Sequence, residues 1–129
     1  MRRDMGEGAF QEYVSGWKRR LEAREAARRE RTRVAWAEAR RLASILKRDF
    51  GATEVQVFGS LALDAKGVKR FREDSDIDLA VRGVRPDQFF QATGRLLSES
   101  AFSVDLVDMD DCAPEWRARI AREGVTLDA

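Results

Sequence analysis

The stretch Thr53-Glu54-Val55-Gln56-Val57-Phe58-Gly59-Ser60-Leu61-Ala62-Leu63 changes its periodicity at one point. Up to Phe58 the residues alternate as in a half-buried strand, with Val55 and Val57 on one face. At Gly59 a backbone without Cβ can turn tightly and let an anion come close. Ser60 then opens a short helical stretch. Free N–H groups at a helix start, with a serine hydroxyl beside them, form a ready phosphate site. A plain helix cap at Ser60 uses the same geometry, so the two roles are compatible.

After a further fifteen residues comes Asp76-Ile77-Asp78. Side chains two apart on a strand point the same way, so Asp76 and Asp78 share a face while Ile77, Leu79 and Val81 take the other. Like charges held side by side on a half-buried strand repel, and one must take up a proton unless a cation sits between them. Another apolar run, Val104-Asp105-Leu106-Val107, brings a third carboxylate on a strand. Oxygen-only donors suit Mg²⁺ or Mn²⁺. A phosphate cradle facing such carboxylates is equipment for phosphoryl or nucleotidyl transfer. Asp108, Asp110 and Asp111 lie at a strand end and turn, and read as solvated.

In this ordered set, Gly59-Ser60, Asp76-x-Asp78 and Asp105, the chain resembles the minimal nucleotidyltransferases, small members of the DNA polymerase β superfamily. The run from Glu73 to Val81 looks like that family's core strand, and Arg119-Ile120-Ala121-Arg122-Glu123-Gly124-Val125 is similar to its usual C-terminal end. The resemblance covers residues 35–127. It implies an α/β (α+β) fold, a small mixed sheet with helices packed on one side. It also implies that Asp76 and Asp78 hold the metal of a nucleoside triphosphate, ATP or another NTP. Asp105 joins them around a second metal or takes the proton of an acceptor hydroxyl. Gly59 and Ser60 grip the β and γ phosphates.

Small relatives of this kind are often antitoxins paired with a small all-helical HEPN ribonuclease toxin, which they silence by adding AMP to a tyrosine. The resemblance therefore implies a toxin protein as partner. A stand-alone small-molecule nucleotidyltransferase of the aminoglycoside type and a non-catalytic antitoxin binding module are the alternatives. Leu61 stands where many relatives carry an arginine, and Lys66-Gly67 where they carry Arg-Gly. The segment before the Asp pair is also longer than usual. Its basic run, Lys66, Lys69, Arg70 and Arg72, offers replacement cations for the nucleotide phosphates. The family's frequent tyrosine near the C-terminus is absent from the closing Thr126-Leu127-Asp128-Ala129.

Composition sets limits on the chemistry. The chain has no histidine, which removes Ser-His-Asp and Cys-His catalysis and every His-ligated metal centre. Acid and base work falls to carboxylates, lysine or metal-bound water. The single cysteine, Cys112, has no partner for an internal disulfide and reads as a bystander. No apolar run approaches the roughly 18 residues that span a bilayer. The Met-Arg-Arg-Asp start lacks the apolar core of a signal peptide, so a cytoplasmic location is the simplest expectation.

Charge is uneven. Residues 1–50 hold 14 Lys and Arg against 8 Asp and Glu, whereas residues 51–129 hold 10 against 15. The half that carries the candidate site is acidic, as a metal site without its ion should be. Arg19, Arg20, Arg28, Arg29, Arg31 and Arg33 read as a solvated helical face. No aromatic residues interleave them, so nucleic acid is not expected as a partner.

Residues 9–50 read as helix, without proline and rich in Ala, Arg, Glu and Leu. Phe10, Val14, Trp17 and Leu21 form an apolar stripe, residues 22–33 bury little, and Ala35, Ala39, Leu42, Leu46 and Phe50 restore an apolar face. One helix of this length would run roughly 60 Å, about twice the width of the remaining domain. Either the first turns project, and Phe10, Tyr13, Val14 and Trp17 need a second copy or a partner chain to pack on, or a break lets them fold back on their own domain. The expected division is an N-terminal helical arm over residues 1–34, suited to a homodimer or partner contact, and a nucleotidyltransferase domain over 35–129. Within the latter, Pro86 and Pro114 open helices, with Phe89, Phe90, Thr93, Leu96 and Leu97 buried in the first and Trp116 and Ile120 in the second.

Overall fold

The chain's two prolines, Pro86 and Pro114, both stand at the start of a helix, where the ring's fixed φ fits and no N–H is required. The computed structural model describes residues 2–127. In chain order its elements are α1 (Arg2–Phe50), β1 (Glu54–Phe58), α2 (Gly59–Ala65), β2 (Ile77–Arg82), α3 (Pro86–Glu99), β3 (Val104–Asp108), α4 (Pro114–Glu123) and β4 (Val125–Thr126). Helix α1 begins earlier than the expected residue 9, since Gly6 and Gly8 weaken a helix without blocking it. It ends where Gly51 takes a φ of 72°, a left-handed cap position that glycine fills without strain. The closing Asp128-Ala129 lies outside the described residues.

The chain divides into two compact units, Met1–Glu30 and Arg31–Ala129. The second unit is built on a four-stranded mixed sheet in the order β3-β2-β1-β4. Strands β1 and β2 are antiparallel, as are β1 and β4, while β2 and β3 run parallel and are joined through α3. The two-residue β4 was not expected, being too short to show any alternation.

One face of the sheet carries Val55, Val57, Ile77, Leu79 and Val81, packed against Ala39, Leu42 and Leu46 of α1 and Ala92 and Leu96 of α3. The other face carries Phe58, Ala80 and the half-buried Val107, which pack with Ile120 of α4. Helices α1 and α3 thus share one side, as expected, and the short α4 covers part of the opposite side. That arrangement leaves the second face open beside α4.

Three expected core positions are corrected. Phe90 is 88% exposed and Leu97 is exposed too, because α3 buries only the narrow stripe of Phe89, Ala92, Thr93 and Leu96. Trp116 is exposed at the edge of α4, and Ile120 alone of that pair is fully buried. Polar contacts hold α1 in place over the sheet. Arg41 donates to Glu38 and to the Glu99 carbonyl (3.0 Å), Ser100 donates to Glu38 (2.7 Å), and Lys47 donates to the Leu127 carbonyl (3.0 Å). Among the described residues no helix is long and apolar enough to cross a membrane.

The long segment between α2 and β2 is pinned by Phe71. Its ring is buried beside Phe102 (6.4 Å between centroids), and its N–H donates to Asp64 Oδ2 at 2.7 Å. Truncation to Phe71→Ala should lower unfolding free energy by about 3 kcal/mol in chemical denaturation, as expected for a buried phenylalanine.

Candidate active site

Pairing sets the site. Near one end of the strands one row of partners runs Phe58, Asp78, Asp105, from β1 through β2 to β3. Asp78 and Asp105 are therefore neighbours by register, and their row faces the side of the sheet that carries α4. Asp76 falls just before β2 and is exposed, so the expected shared strand face holds only for Asp78 itself. All three carboxylates nevertheless line one pocket of about 480 Å³, together with Phe58, Leu106, Val107, Trp116 and Arg119.

The cost of this arrangement falls on Asp78. Burial, then the neighbouring Asp105 carboxylate, with a smaller push from Asp76, raises its pKa to about 6; Arg119 pulls the other way. A half-buried carboxylate held against its own charge is the chemistry of a cation site, and the donors are hard oxygens. Among the described residues no three carboxylates are already drawn together around a metal-sized point. The donor set, hard oxygens alone, fits Mg²⁺ or Mn²⁺ in kind.

Gly59 explains itself in three dimensions. Its φ is 72°, and a Cβ there would fall on the Asp78 carboxylate. The position therefore demands glycine twice over, for conformation and for space. Its N–H donates to Glu123 Oε1 at 3.0 Å, a contact spanning 64 residues. Ser60, next along α2, is half-buried.

Glu123 also accepts from Arg119 Nε at 3.1 Å, and the Arg119 guanidinium lies 5.4 Å from the ring centres of both Phe58 and Trp116. Phe58 and Trp116 meet edge to face at 6.1 Å. Trp116, Arg119 and Glu123 were not among the expected site residues. Their spacing of three and four along a helix was the available signal, since it puts them on one face.

Of the basic run expected to meet phosphates, Lys66 instead donates to the Arg122 and Glu123 carbonyls at the end of α4 (3.3 and 3.0 Å). Lys69 and Arg70 are exposed. The cation lining the carboxylate pocket is Arg119. Asp110 accepts from the Gly83 N–H (2.8 Å) and Asp108 from the Asp110 N–H (2.9 Å), so these acids shape a turn. Beside the carboxylates a more apolar cleft of about 610 Å³ shares Leu106, Val107 and Trp116 and reaches Phe89 and Cys112.

Comparison with known proteins gives a consistent picture. A family model described as a nucleotidyltransferase domain matches residues 39–112. No curated protein sequence matches the chain. A solved structure provisionally assigned as a minimal nucleotidyltransferase is similar at 29% identity and a TM-score of 0.57, over 73% of this chain and 93% of that one. A toxin–antitoxin crystallised with AMP-PNP is similar at 22% identity and a TM-score of 0.57, over 70% and 73% of the two chains. A Shewanella oneidensis complex of a tri-AMPylated HEPN toxin with its MNT antitoxin is similar at 18% identity and a TM-score of 0.56, over 74% and 72%.

An acid with a raised pKa holds its proton more tightly in the folded chain than in the unfolded one. Its contribution is therefore full below 3.8 and lost as the pH rises through about 6. Asp78→Asn should stabilise the metal-free protein at neutral pH by about 1 kcal/mol, solvent screening keeping the gain small, and the gain should vanish in acid. Thermal melts of both proteins across the pH range check it. Gly59→Ala should cost about 2 kcal/mol or more in the same assay, from backbone strain and the collision with Asp78.

Proposed function

The chain belongs to the nucleotidyltransferase domain family, and on that premise we propose that it transfers a nucleoside monophosphate, AMP from ATP, to a hydroxyl on a partner protein. The observation that carries the chemistry is the convergence of Asp76, Asp78 and Asp105 on one pocket, with Asp78 pushed up to about 6 by burial and by Asp105. Asp76, Asp78 and Asp105 would hold Mg²⁺ or Mn²⁺, which when bound offsets the charge of the triphosphate and of the departing pyrophosphate.

The chain's own residues do the rest. The acceptor oxygen attacks the α-phosphorus, the bond from that phosphorus to the bridging oxygen breaks, and pyrophosphate leaves. Asp105, exposed at the mouth, takes the proton of the acceptor hydroxyl. Ser60 and the start of α2 receive the outer phosphates. Gly59 can join them only when Glu123 releases its N–H. Arg119, held by Glu123 and the two aromatic rings, keeps positive charge at the pocket wall.

The apolar cleft beside the carboxylates, with the exposed Trp116 on the shared wall, suits an aromatic hydroxyl such as tyrosine. A protein acceptor agrees with the AMPylated toxin of the Shewanella complex, and on this reading the chain is the cytoplasmic antitoxin of a toxin–antitoxin pair. We keep the division into a helical arm, residues 1–34, and a catalytic domain, residues 35–129, as part of this proposal.

The test is to incubate the purified protein with MgATP and the product of the adjacent gene, and to record the intact masses of both chains. One or more added AMP groups on the partner are expected, and their loss in the Asp76→Asn, Asp78→Asn double variant, by at least about 100-fold in rate, follows from removing the metal ligands. A tight complex with unchanged masses would mean a silencing module that acts by contact. Modification of an aminoglycoside by the protein alone would mean a small-molecule enzyme.

A further inference from the structure

The N-terminal stripe has a symmetry of its own. Phe10, Val14, Trp17 and Leu21 are spaced by four, three and four residues. This is the d-a-d-a spacing of a heptad seam. It is also the same read backwards. Reversal about the midpoint between Ser15 and Gly16 exchanges Phe10 with Leu21 and Val14 with Trp17. The next seam position on each side is charged, Glu7 before Phe10 and Arg24 after Leu21, and the same reversal exchanges these two.

The stripe is not covered. Phe10 is 67% exposed, Trp17 53% and Leu21 42%. The unit Met1–Glu30 contains only a segment of α1, so it has no second element of its own to bury these side chains. Gly6, Gly8 and Gly16 further weaken the helix, and a lone helix is marginal in water. Pairing of the apolar seam supplies what local propensity lacks.

We propose that residues 7–24 form an antiparallel two-helix coiled coil with a second copy of this chain. In that arrangement each a layer meets a d layer, so Phe10 faces Leu21 of the second copy and Val14 faces its Trp17. Glu7 of one copy meets Arg24 of the other at both ends of the seam. A parallel pair would set Glu7 against Glu7 and Arg24 against Arg24, and like charges oppose it. The twofold symmetry makes the interface self-complementary and closed. This surface is independent of the transferase chemistry.

Sedimentation of the full-length protein at low salt tests it, since salt screens the end pairs. The unmodified chain should be a dimer, and Trp17→Glu should make it a monomer. Glu7→Arg and Arg24→Glu should each weaken the dimer about tenfold, and the combined Glu7→Arg, Arg24→Glu protein should regain near-original affinity because the pairs re-form with reversed sign. A monomeric unmodified chain would overturn the proposal and leave the stripe to a different protein. A dimer that survives Trp17→Glu would place the contact elsewhere. A double charge variant no tighter than the single ones would rule out the antiparallel register.

Discussion

The row Phe58–Asp78–Asp105 across the sheet is the constraint on which the rest of the site depends. A one-residue slip of β2 would move Asp78 to the packed face and expose Ile77 or Leu79, which both helices α1 and α3 require buried. The hydrophobic face thus enforces the register, and the register enforces a pair of carboxylates as neighbours. Folding pays for that repulsion with the apolar burial of the opposite face. The same row explains why Gly59 follows Phe58, because the Asp78 carboxylate fills the space that a side chain would need.

Helix α4 completes what the strands begin. Ile120 anchors it on the second face, and its turn-spaced Trp116, Arg119 and Glu123 then reach the row from the side. Arg119 brings the nearby positive charge that partly relieves Asp78, while Glu123 ties Arg119 to the Gly59 backbone. Glu123 thus links the C-terminal helix to the start of α2. One carboxylate holds together the turn, the cation and the aromatic pair beneath it.

Much of this was legible beforehand. The strand Glu54–Phe58 followed from strict alternation, both later helices from proline at their first turn, and the α/β order from their succession. The buried face of α1 from Ala35 to Leu46 followed from helical spacing. Phe90 and Leu97 were misplaced because periodicity shows which residues could face inward, while the width of the sheet decides how many do. Asp76 was expected on the strand with Asp78. It lies just outside because the β2 ladder begins at Ile77, opposite Val104.

By itself the sequence determined the local elements, the absence of histidine chemistry, and the identity of the turn and carboxylate residues, Gly59, Ser60, Asp76, Asp78 and Asp105. These depend on periods of two and of 3.6 residues and on side-chain chemistry, which act within a few neighbours. Only the tertiary structure decided that Arg119 would line the carboxylate pocket while Lys66 went to cap α4, and that Glu123 would bind the Gly59 N–H. Those contacts join residues more than fifty positions apart in the chain. Strand register and helix docking place them, and neither leaves a periodic trace in the sequence.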